Sequence, residues 1–303
     1  MVELVSGTEL SGAMLLTNVS YSKTSRGSDM ARVTFVLEDE TTSSAVVWDE
    51  GILSTLRYVK CPVQIDGVVS VDSYNGGVSC KLVGIHNVYD KVDIIKWYKK
   101  LDSQYNGNAL ITNLKGVVSE EALALVIKMF NENAKELSMA MAAQYGGYHD
   151  GVIGGLLNHL RKLVKYGSVA MGEYSKTFTQ TERDLVFLGL VLHDMGKLYE
   201  LKDGAYWEES IVPHTVSGIW FLEKYREDIE GRYGRMFYLE LVAIISQHHG
   251  EFGERPKTVY AYLVHVIDLL DSRVSGLQKK LDEGTTADSH YFDEFRLAFN
   301  RYE

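Results

Sequence analysis

The sequence predicts a multidomain chain of α and β structure, in which a small N-terminal β-barrel precedes an all-α helical bundle. Residues 1–90 contain β-branched and alternating runs separated by polar turns, whereas the residues beyond 90 repeat their apolar positions at helical spacing. The length of 303 residues also suits two domains, since a domain usually takes about 100 to 200 residues.

The strand signals come first along the chain. Residues 32–38 alternate as a half-buried strand does, and the runs 45–48 and 63–71 are rich in β-branched side chains. The Asn-Gly-Gly sequence at 75–77 predicts a tight hairpin that leads into a returning strand at 78–85. Five short strands in this space indicate a small barrel. An OB-fold fits the size, and an SH3-like barrel fits the pattern almost as well.

Three segments follow from the change in pattern: an OB-fold-like nucleic-acid-binding domain at 1–90, a helical connector at 91–145, and a helical domain at 146–303. In the connector we predict helices at 92–105 and 119–143, the second capped by Ser119.

The helical domain should contain several amphipathic helices. Gly196 is placed as a helix C-cap, and Pro213 is placed at a helix start. The C-terminal tail predicts one more helix at 291–302. The main predicted helices are 152–170, 181–195, 212–229, 235–248 and 257–281.

Composition excludes several classes of protein. With 46% hydrophobic and 24% charged residues, the chain is globular rather than disordered. A net charge of −10 argues against tight duplex binding through bulk charge. Cys61 and Cys80 match no zinc spacing and form no disulfide framework. The sequence contains no apolar run of membrane-spanning length and no secretion signal, so we expect a soluble cytoplasmic protein without membrane contact.

The helical half carries the side chains suited to metal chemistry. Imidazole nitrogens and carboxylate oxygens that converge from several helices bind intermediate divalent ions. The carboxylates that stand beside the histidines are Asp194, Asp268 and Asp271. Seven of the nine histidines fall in this region: His149, His159, His193, His214, His248, His249 and His265.

The sharpest motif is His193-Asp194-Met195-Gly196-Lys197 at the end of a buried helix. Neighbouring residues of a helix point about 100° apart, so one ion would have to lie between His193 and Asp194. Gly196 allows a sharp turn there, and Lys197 then points close to the ion. A lysine in this place can hold a phosphate oxygen and steady the charge that develops on it.

The order of His159, His193-Asp194 and Asp268 resembles that of HD-domain metal-dependent phosphohydrolases. The resemblance narrows to the YhaM-type 3′→5′ exoribonucleases, which carry an OB-fold before the HD domain. It covers residues 5–281 and departs from the family at Asn158, where a glutamate is usual, and at Tyr148-His149, where two histidines are usual. The matching blocks are residues 154–159, 192–197, 213–215, 246–250 and 265–271.

The resemblance implies one or two divalent metal ions, manganese first, with cobalt, iron and magnesium left open. If two ions bind, Asp194 bridges them; Asp194 and Lys197 are the implied catalytic residues. His149, His249, His265 and Asp271 are candidates for contacts with substrate or for supporting the ligands. The implied metal ligands are His159, His193, Asp194, His214, His248 and Asp268, with His248 favoured over His249.

These residues predict a metal-dependent phosphodiesterase, and the resemblance implies a 3′→5′ exoribonuclease on single-stranded RNA that could also take single-stranded DNA. The barrel would hold the strand through Tyr74, Trp48, Arg32 and Lys81, although Trp48, like Phe35, also suits a barrel core. Two alternatives stay open: an HD-domain hydrolase of a small nucleotide (a dNTP, a cyclic dinucleotide or a guanosine tetraphosphate), and a catalytically silent single-strand-binding protein. A homo-oligomer is also open.

Overall fold

The computed structural model describes residues 4–24, 27–74, 77–89, 91–144, 149–174, 176–202, 205–206, 211–282, 289–292 and 295–298. The chain divides into two compact units, Met1–Lys100 and Leu101–Glu303. Each unit has a separate hydrophobic core.

The first unit is a closed five-stranded barrel with strand order β1-β2-β3-β5-β4, which is OB-like and confirms the predicted barrel. A short helix, α1 (Glu50–Leu56), connects β3 to β4 and was not predicted. The Asp49 side chain caps it by accepting a hydrogen bond from the Ile52 amide at 2.9 Å. The strands are β1 (Thr8–Lys23), β2 (Asp29–Leu37), β3 (Thr42–Val47), β4 (Val63–Tyr74) and β5 (Gly77–Tyr89).

The barrel closes because alternate side chains of its strands are apolar. On β2, Ala31, Val33 and Phe35 are buried inside the barrel, while Arg32 between them is exposed. Trp48, just after β3, is 49% exposed and therefore does not join the core that contains Phe35. The expectation that Trp48 could be a core residue is wrong, because it lies beyond the end of the strand.

The second unit is predominantly helical, with the predicted bundle at its centre. Helix α6 packs against α5, α10 and α11, and it is buried continuously from Asp184 to Leu192. The helices are α2 (Ser103–Leu114), α3 (Glu120–Glu132), α4 (Ala134–Met139), α5 (Gly155–Glu173), α6 (Gln180–Leu192), α7 (Lys197–Glu200), α8 (His214–Glu223), α9 (Arg226–Tyr233), α10 (Arg235–Gln247) and α11 (Val259–Asp282).

Short elements occur in the described parts of both units. Two 3₁₀ turns occur at Ile94–Lys96, in the first unit, and at Gly250–Phe252, directly after α10. Two small hairpins pair β6 (Leu201–Lys202) with β7 (Ala205–Tyr206) and β8 (Ser289–Phe292) with β9 (Phe295–Ala298). The described residues of the tail form the hairpin of β8 and β9, so the helix predicted at 291–302 is wrong for these residues.

Three predicted helices of the connector and bundle are displaced or interrupted. Instead of a helix at 92–105, α2 begins at Ser103, where the Asp102 side chain accepts from the Tyr105 amide. The helix predicted at 119–143 breaks at Asn133, whose side-chain amide donates to the Met129 carbonyl at 2.8 Å. The helix predicted at 212–229 is interrupted at Lys224 and Tyr225. At Asn133 this bond from a side chain to the backbone competes with continued helix.

None of the helices in the described part of the chain combines the length and the apolar composition that crossing a lipid bilayer requires.

Candidate metal centre

The bundle brings together side chains that lie far apart in the sequence. His193 caps the C-terminus of α6 with Asp194 directly after it, and His248 caps the C-terminus of α10. His159 lies in α5, and Asp268 lies in α11. His214 is the first residue of α8. The six residues expected as ligands therefore come from five helices or helix ends.

Asp194 stands at the centre of this cluster and is only 2% exposed. Its Oδ2 atom lies 3.5 Å from Nε2 of His159 and 3.4 Å from Nε2 of His193. Its Oδ1 atom lies 3.5 Å from Nε2 of His214 and 3.5 Å from Nε2 of His248. The two oxygens thus face two different pairs of imidazoles, which is the arrangement expected of a carboxylate shared between two ions.

Asp268 completes the side of the cluster that contains His159 and His193. Its Oδ1 atom lies 3.2 Å from Nε2 of His159 and 3.7 Å from Nε2 of His193. On the other side, His214, His248 and His249 offer nitrogen atoms that all lie within 4.8 Å of one another. Two neighbouring ligand groups are therefore present, one of mixed nitrogen and oxygen donors and one rich in imidazole.

Unpaired buried atoms show that the cluster suits a metal ion. Within the described residues, Nε2 of His159, Nε2 of His193 and Oδ1 of Asp194 are buried and make no hydrogen bond. Leaving such groups unsatisfied costs about 1 to 3 kcal/mol each, and coordination of a cation would remove that cost. Imidazole nitrogen with carboxylate oxygen is a donor set for intermediate divalent ions.

The other ring nitrogen of each imidazole is held in place. Nδ1 of His193 donates to the Leu190 carbonyl at 3.0 Å, and Nδ1 of His248 donates to the Ile245 carbonyl at 2.8 Å. A carbonyl can only accept, so Nδ1 carries the proton of the neutral ring and Nε2 is left to face the centre. This is the orientation that a metal-binding histidine needs.

Carboxylates hold the remaining two imidazoles. Nδ1 of His159 lies 2.8 Å from Oδ2 of Asp271, and Nδ1 of His214 lies 2.7 Å from Oε2 of Glu200. A carboxylate behind a histidine fixes its tautomer and raises its basicity as a ligand. Asp271, expected either to contact substrate or to support a ligand, therefore supports His159.

An ammonium group occupies the space behind His159. Lys162 Nζ lies 2.9 Å from Asp271 and 2.7 Å from Asp150. Asp150, His159 and Asp271 would otherwise resemble a further cation site, but Lys162 already supplies the positive charge. Asn158, which departs from the family pattern, donates to Asp150 at 2.7 Å and therefore belongs to this outer network.

The buried charges shift the pKa values strongly. Burial lowers the pKa of His193, but the carboxylates of Asp194 and Asp268 outweigh it and raise this pKa to about 10. Burial raises the pKa of Asp194, yet the charges of Lys197 and His193 hold it well below its usual range. Burial likewise raises the pKa of Asp268, and the two imidazoles facing it lower it well below that range. Both carboxylates are thus anionic and ready to bind a cation.

Lys197 lies against the centre, as its motif predicts. Its Nζ atom is 2.7 Å from Oδ2 of Asp194 and donates to the Ala142 carbonyl at 2.5 Å. It is thus held beside the shared carboxylate, at the edge of a cavity of about 310 Å³.

Gly196 differs from its predicted role as a helix C-cap. Its φ of −64° is right-handed, so it needs no special backbone freedom. A Cβ at this position would lie 1.8 Å from the His214 carbonyl oxygen. The glycine is needed because α7 and α8 approach closely there, and this approach brings His214 to Asp194.

The remaining three histidines surround the centre. Nε2 of His249 lies 2.8 Å from Nε2 of His214. The ring of His149 lies 5.1 Å from that of His159. Burial, with lesser repulsion from neighbouring groups, lowers the pKa values of His149 and His249 to about 4. His265 turns its Nδ1 to the His248 carbonyl at 2.7 Å and so braces the backbone at the end of α10.

The barrel residues lie in the other unit. Register pairs Arg32 with Val46 on β3, and Val46 with Lys81 on β5, so the two cations share one row of the outer face. Lys81 is partly neutralised by Asp72 at 2.9 Å. Tyr74 ends β4, but its side chain lies outside the described residues.

Residues 156–273 match the family model of the HD domain. The chain contains an HD domain. This domain implies a phosphohydrolase that depends on divalent metal, and the His and Asp cluster is a donor set that could hold the ions.

The relatives of the chain agree with this finding. Over 293 residues, the chain is 24% identical to the 3′-5′ exoribonuclease YhaM of Oceanobacillus iheyensis. This match covers 91% of the chain and 88% of the relative. It is 24% identical over 148 residues to the dihydroneopterin 2′,3′-cyclic phosphate phosphodiesterase of Methanocaldococcus jannaschii, 46% of this chain and 55% of the relative. The YhaM of Bacillus licheniformis is 23% identical over 182 residues, 55% of this chain and 57% of the relative.

The chain thus spans little more than half the length of two of these three relatives. No solved structure matches it significantly. The resemblance to the YhaM-type family, inferred from the sequence blocks, is confirmed.

Sequence reasoning missed two residues of the HD domain that support ligands. Glu200 lies on α7, 14 residues before its partner His214, and no short motif links the two. Lys162 follows His159 by three residues, which places both on one face of α5. That spacing was a usable signal, although a lysine on a helix more often faces solvent.

Proposed function

We propose that the chain is a metal-dependent 3′→5′ exoribonuclease that shortens single-stranded RNA, with single-stranded DNA as a second substrate. The observation that carries the proposal is Asp194, whose two buried oxygens face two separate pairs of imidazoles. This arrangement supports phosphodiester hydrolysis at a centre of one or two divalent ions, with manganese as the ion to test first.

His159, His193, Asp194 and Asp268 would hold one ion, and Asp194, His214 and His248 would hold the other, with His249 adjacent. When bound, such ions supply a water of lowered pKa and neutralise charge on the phosphoryl group. Lys197, fixed beside Asp194, is placed to contact a non-bridging phosphate oxygen and stabilise the charge that grows there. His149, kept neutral by burial, can donate a hydrogen bond to the substrate from beside His159.

The barrel supports a single-stranded substrate. The face formed by strands 2 and 3 of an OB-fold is the usual surface for oligonucleotides, and aromatic side chains there stack on bases. Arg32 is exposed on that face, and the half-exposed Trp48 follows β3 by one residue. Two matched relatives are named as 3′-5′ exoribonucleases.

The test is digestion of 5′-labelled single-stranded RNA with manganese, resolved at single-nucleotide resolution. The native chain should give a ladder that shortens from the 3′ end. Asp194→Ala should lose at least about a hundredfold in rate, as expected when a central charged group of a catalytic site is removed. Asp228→Asn is the matched control, because Asp228 is an exposed carboxylate paired with Lys128 far along the chain. Intact RNA at every metal concentration would reject the proposal and leave the silent strand-binding protein.

The cavity beside the centre favours a second candidate, a phosphodiesterase of a small nucleotide. Its volume of about 310 Å³ holds a small molecule, and the relative from Methanocaldococcus jannaschii is named for a cyclic phosphate. A double variant, Arg32→Ala with Trp48→Ala, separates the candidates. It should slow RNA digestion if the barrel holds the strand, and should leave hydrolysis of cyclic nucleotides unchanged.

A further inference from the structure

The cavity next to the metal centre has two kinds of wall. One wall consists of the centre itself, including Asp194, Asp268 and Lys197. The other wall contains side chains to which the metal chemistry assigns no part: Phe252, Leu269, Ser272 and Arg273. This second wall is where the non-reacting part of a substrate would lie.

Phe252 and Arg273 form a paired surface on that wall. Phe252 is 72% exposed although it is large and apolar. The guanidinium carbon of Arg273 lies 5.8 Å from the centre of the Phe252 ring. An isolated exposed phenylalanine is ordinary, but this one lines a cavity next to a cation and a cluster of metal-binding side chains. Flat aromatic rings beside a guanidinium are suited to stacking on a nucleobase.

The position of Phe252 is tied to the metal centre through the backbone. It ends the 3₁₀ turn at Gly250–Phe252, four residues after His248. Gly250 has φ +57°, and a Cβ there would lie 2.3 Å from the imidazole of His265. His265 in turn donates to the His248 carbonyl at 2.7 Å. The turn is therefore packed between α10 and α11, so the backbone that carries Phe252 is anchored beside the ligands.

Once a metal ion is bound, the net charge of the cavity favours an anionic ligand. Among its lining residues, the cations Lys197 and Arg273 balance the carboxylates of Asp194 and Asp268. A divalent ion bound at the centre makes the sum of these charges positive. At about 310 Å³ the cavity lies near the lower end of small-molecule sites and is suited to one nucleotide rather than several.

We propose that Phe252 and Arg273 form the subsite for a single nucleotide at the metal centre, Phe252 stacking on the base and Arg273 pairing with a phosphate. This inference deepens the proposed function and rests on it for the identity of that nucleotide as the terminal one of a strand. With these two residues, the subsite recognises the base of the nucleotide as well as its phosphate.

Binding measures the subsite without requiring turnover. The manganese-loaded full chain is titrated calorimetrically with adenosine 5′-monophosphate and, separately, with ribose 5-phosphate, which lacks the base. The native chain should bind the nucleotide about tenfold or more tightly, as base stacking on an aromatic ring predicts. Phe252→Ala should remove that preference, whereas Phe252→Trp should keep it.

Arg273→Gln should weaken both ligands by a similar factor and leave their ratio unchanged. Trp220→Ala is the matched control, because Trp220 is 59% exposed on α8 and does not line the cavity. The inference is overturned if the native chain binds the two ligands equally, binds neither, or keeps its preference after Phe252→Ala. If the chain prefers the nucleotide over ribose 5-phosphate but leaves RNA intact, the exoribonuclease proposal is rejected and the proposed subsite is retained.

Discussion

At the scale of single residues, Asp194 decides what the centre can do. A carboxylate that is only 2% exposed must be compensated in full. Lys197 compensates one oxygen through a contact of 2.7 Å, while Oδ1 makes no hydrogen bond within the described residues. A buried anion with a free lone pair among imidazoles is a strong attractor for a divalent cation, which would remove the cost of burying the cluster in the core.

The carboxylates behind the ligands give the first prediction at this scale. Asp271→Asn removes the charge behind His159, and Glu200→Gln removes the charge behind His214, without changing size. Each should weaken manganese binding about 10- to 100-fold, measured by calorimetry on the metal-free protein. Asp93→Asn, at an exposed pair with Lys96, is the control. Unchanged affinity in both variants would show that neither carboxylate orients its ligand.

Most residues of the centre were visible in the sequence, and the reason is local. His193, Asp194 and Lys197 lie in one short motif, and His159, His248 and Asp268 lie in blocks with their own flanking pattern. Glu200 was invisible because its role depends on how α7 turns back toward α8, which is a tertiary contact. Spacing along the chain carries no record of such a contact.

At the scale of elements, the close approach of α7 to α8 brings His214 to the centre. In Gly196→Ala the new methyl group would meet the His214 backbone oxygen at 1.8 Å, which no side-chain rotation can relieve. The backbone must shift, so we expect a loss of about 2 to 4 kcal/mol in unfolding free energy and weaker manganese binding. Urea unfolding and calorimetry measure the two effects.

Gly231→Ala serves as the control for that variant. Gly231 lies inside α9, and a Cβ there meets nothing within 4 Å. Since alanine is the better helix former, this change should stabilise the protein by about 0.5 to 1 kcal/mol. Equal behaviour of the two alanine variants would contradict the packing role of Gly196.

The elements show where the periodicity of the sequence stops being informative. The helices of the bundle were found because each has a long apolar face, and the barrel was found from its alternating strands. The breaks at Asn133 and Tyr225 were not found, because the apolar pattern continues through both points. Helix α1 was missed since its seven residues are too few to show a period.

At the scale of the whole molecule, the described residues form two separate hydrophobic cores, and the candidate metal ligands all belong to the second unit. A ligand that binds only the folded form stabilises what it binds, by about 2.7 kcal/mol at a concentration of one hundred times Kd. The stabilisation should therefore be confined to one of the two cores.

Hydrogen exchange followed by mass spectrometry measures this directly. Manganese should slow exchange in peptides from α5, α6, α10 and α11 and leave peptides from β1 to β5 unchanged. The Asp194→Ala variant with the same manganese serves as the control, and its exchange should not slow in either unit. Equal slowing in both units would mean that the two cores unfold together.

The four imidazoles of the centre are anchored in two different ways, and this difference bears on how the site can change over evolution. His193 and His248 rest on main-chain carbonyls that exist whatever the neighbouring side chain is. His159 and His214 rest on Asp271 and Glu200, which a single codon change can replace. Half of the centre is thus inherited with the fold, while the other half is open to selection, which can adjust the strength and preference of metal binding without rebuilding the bundle.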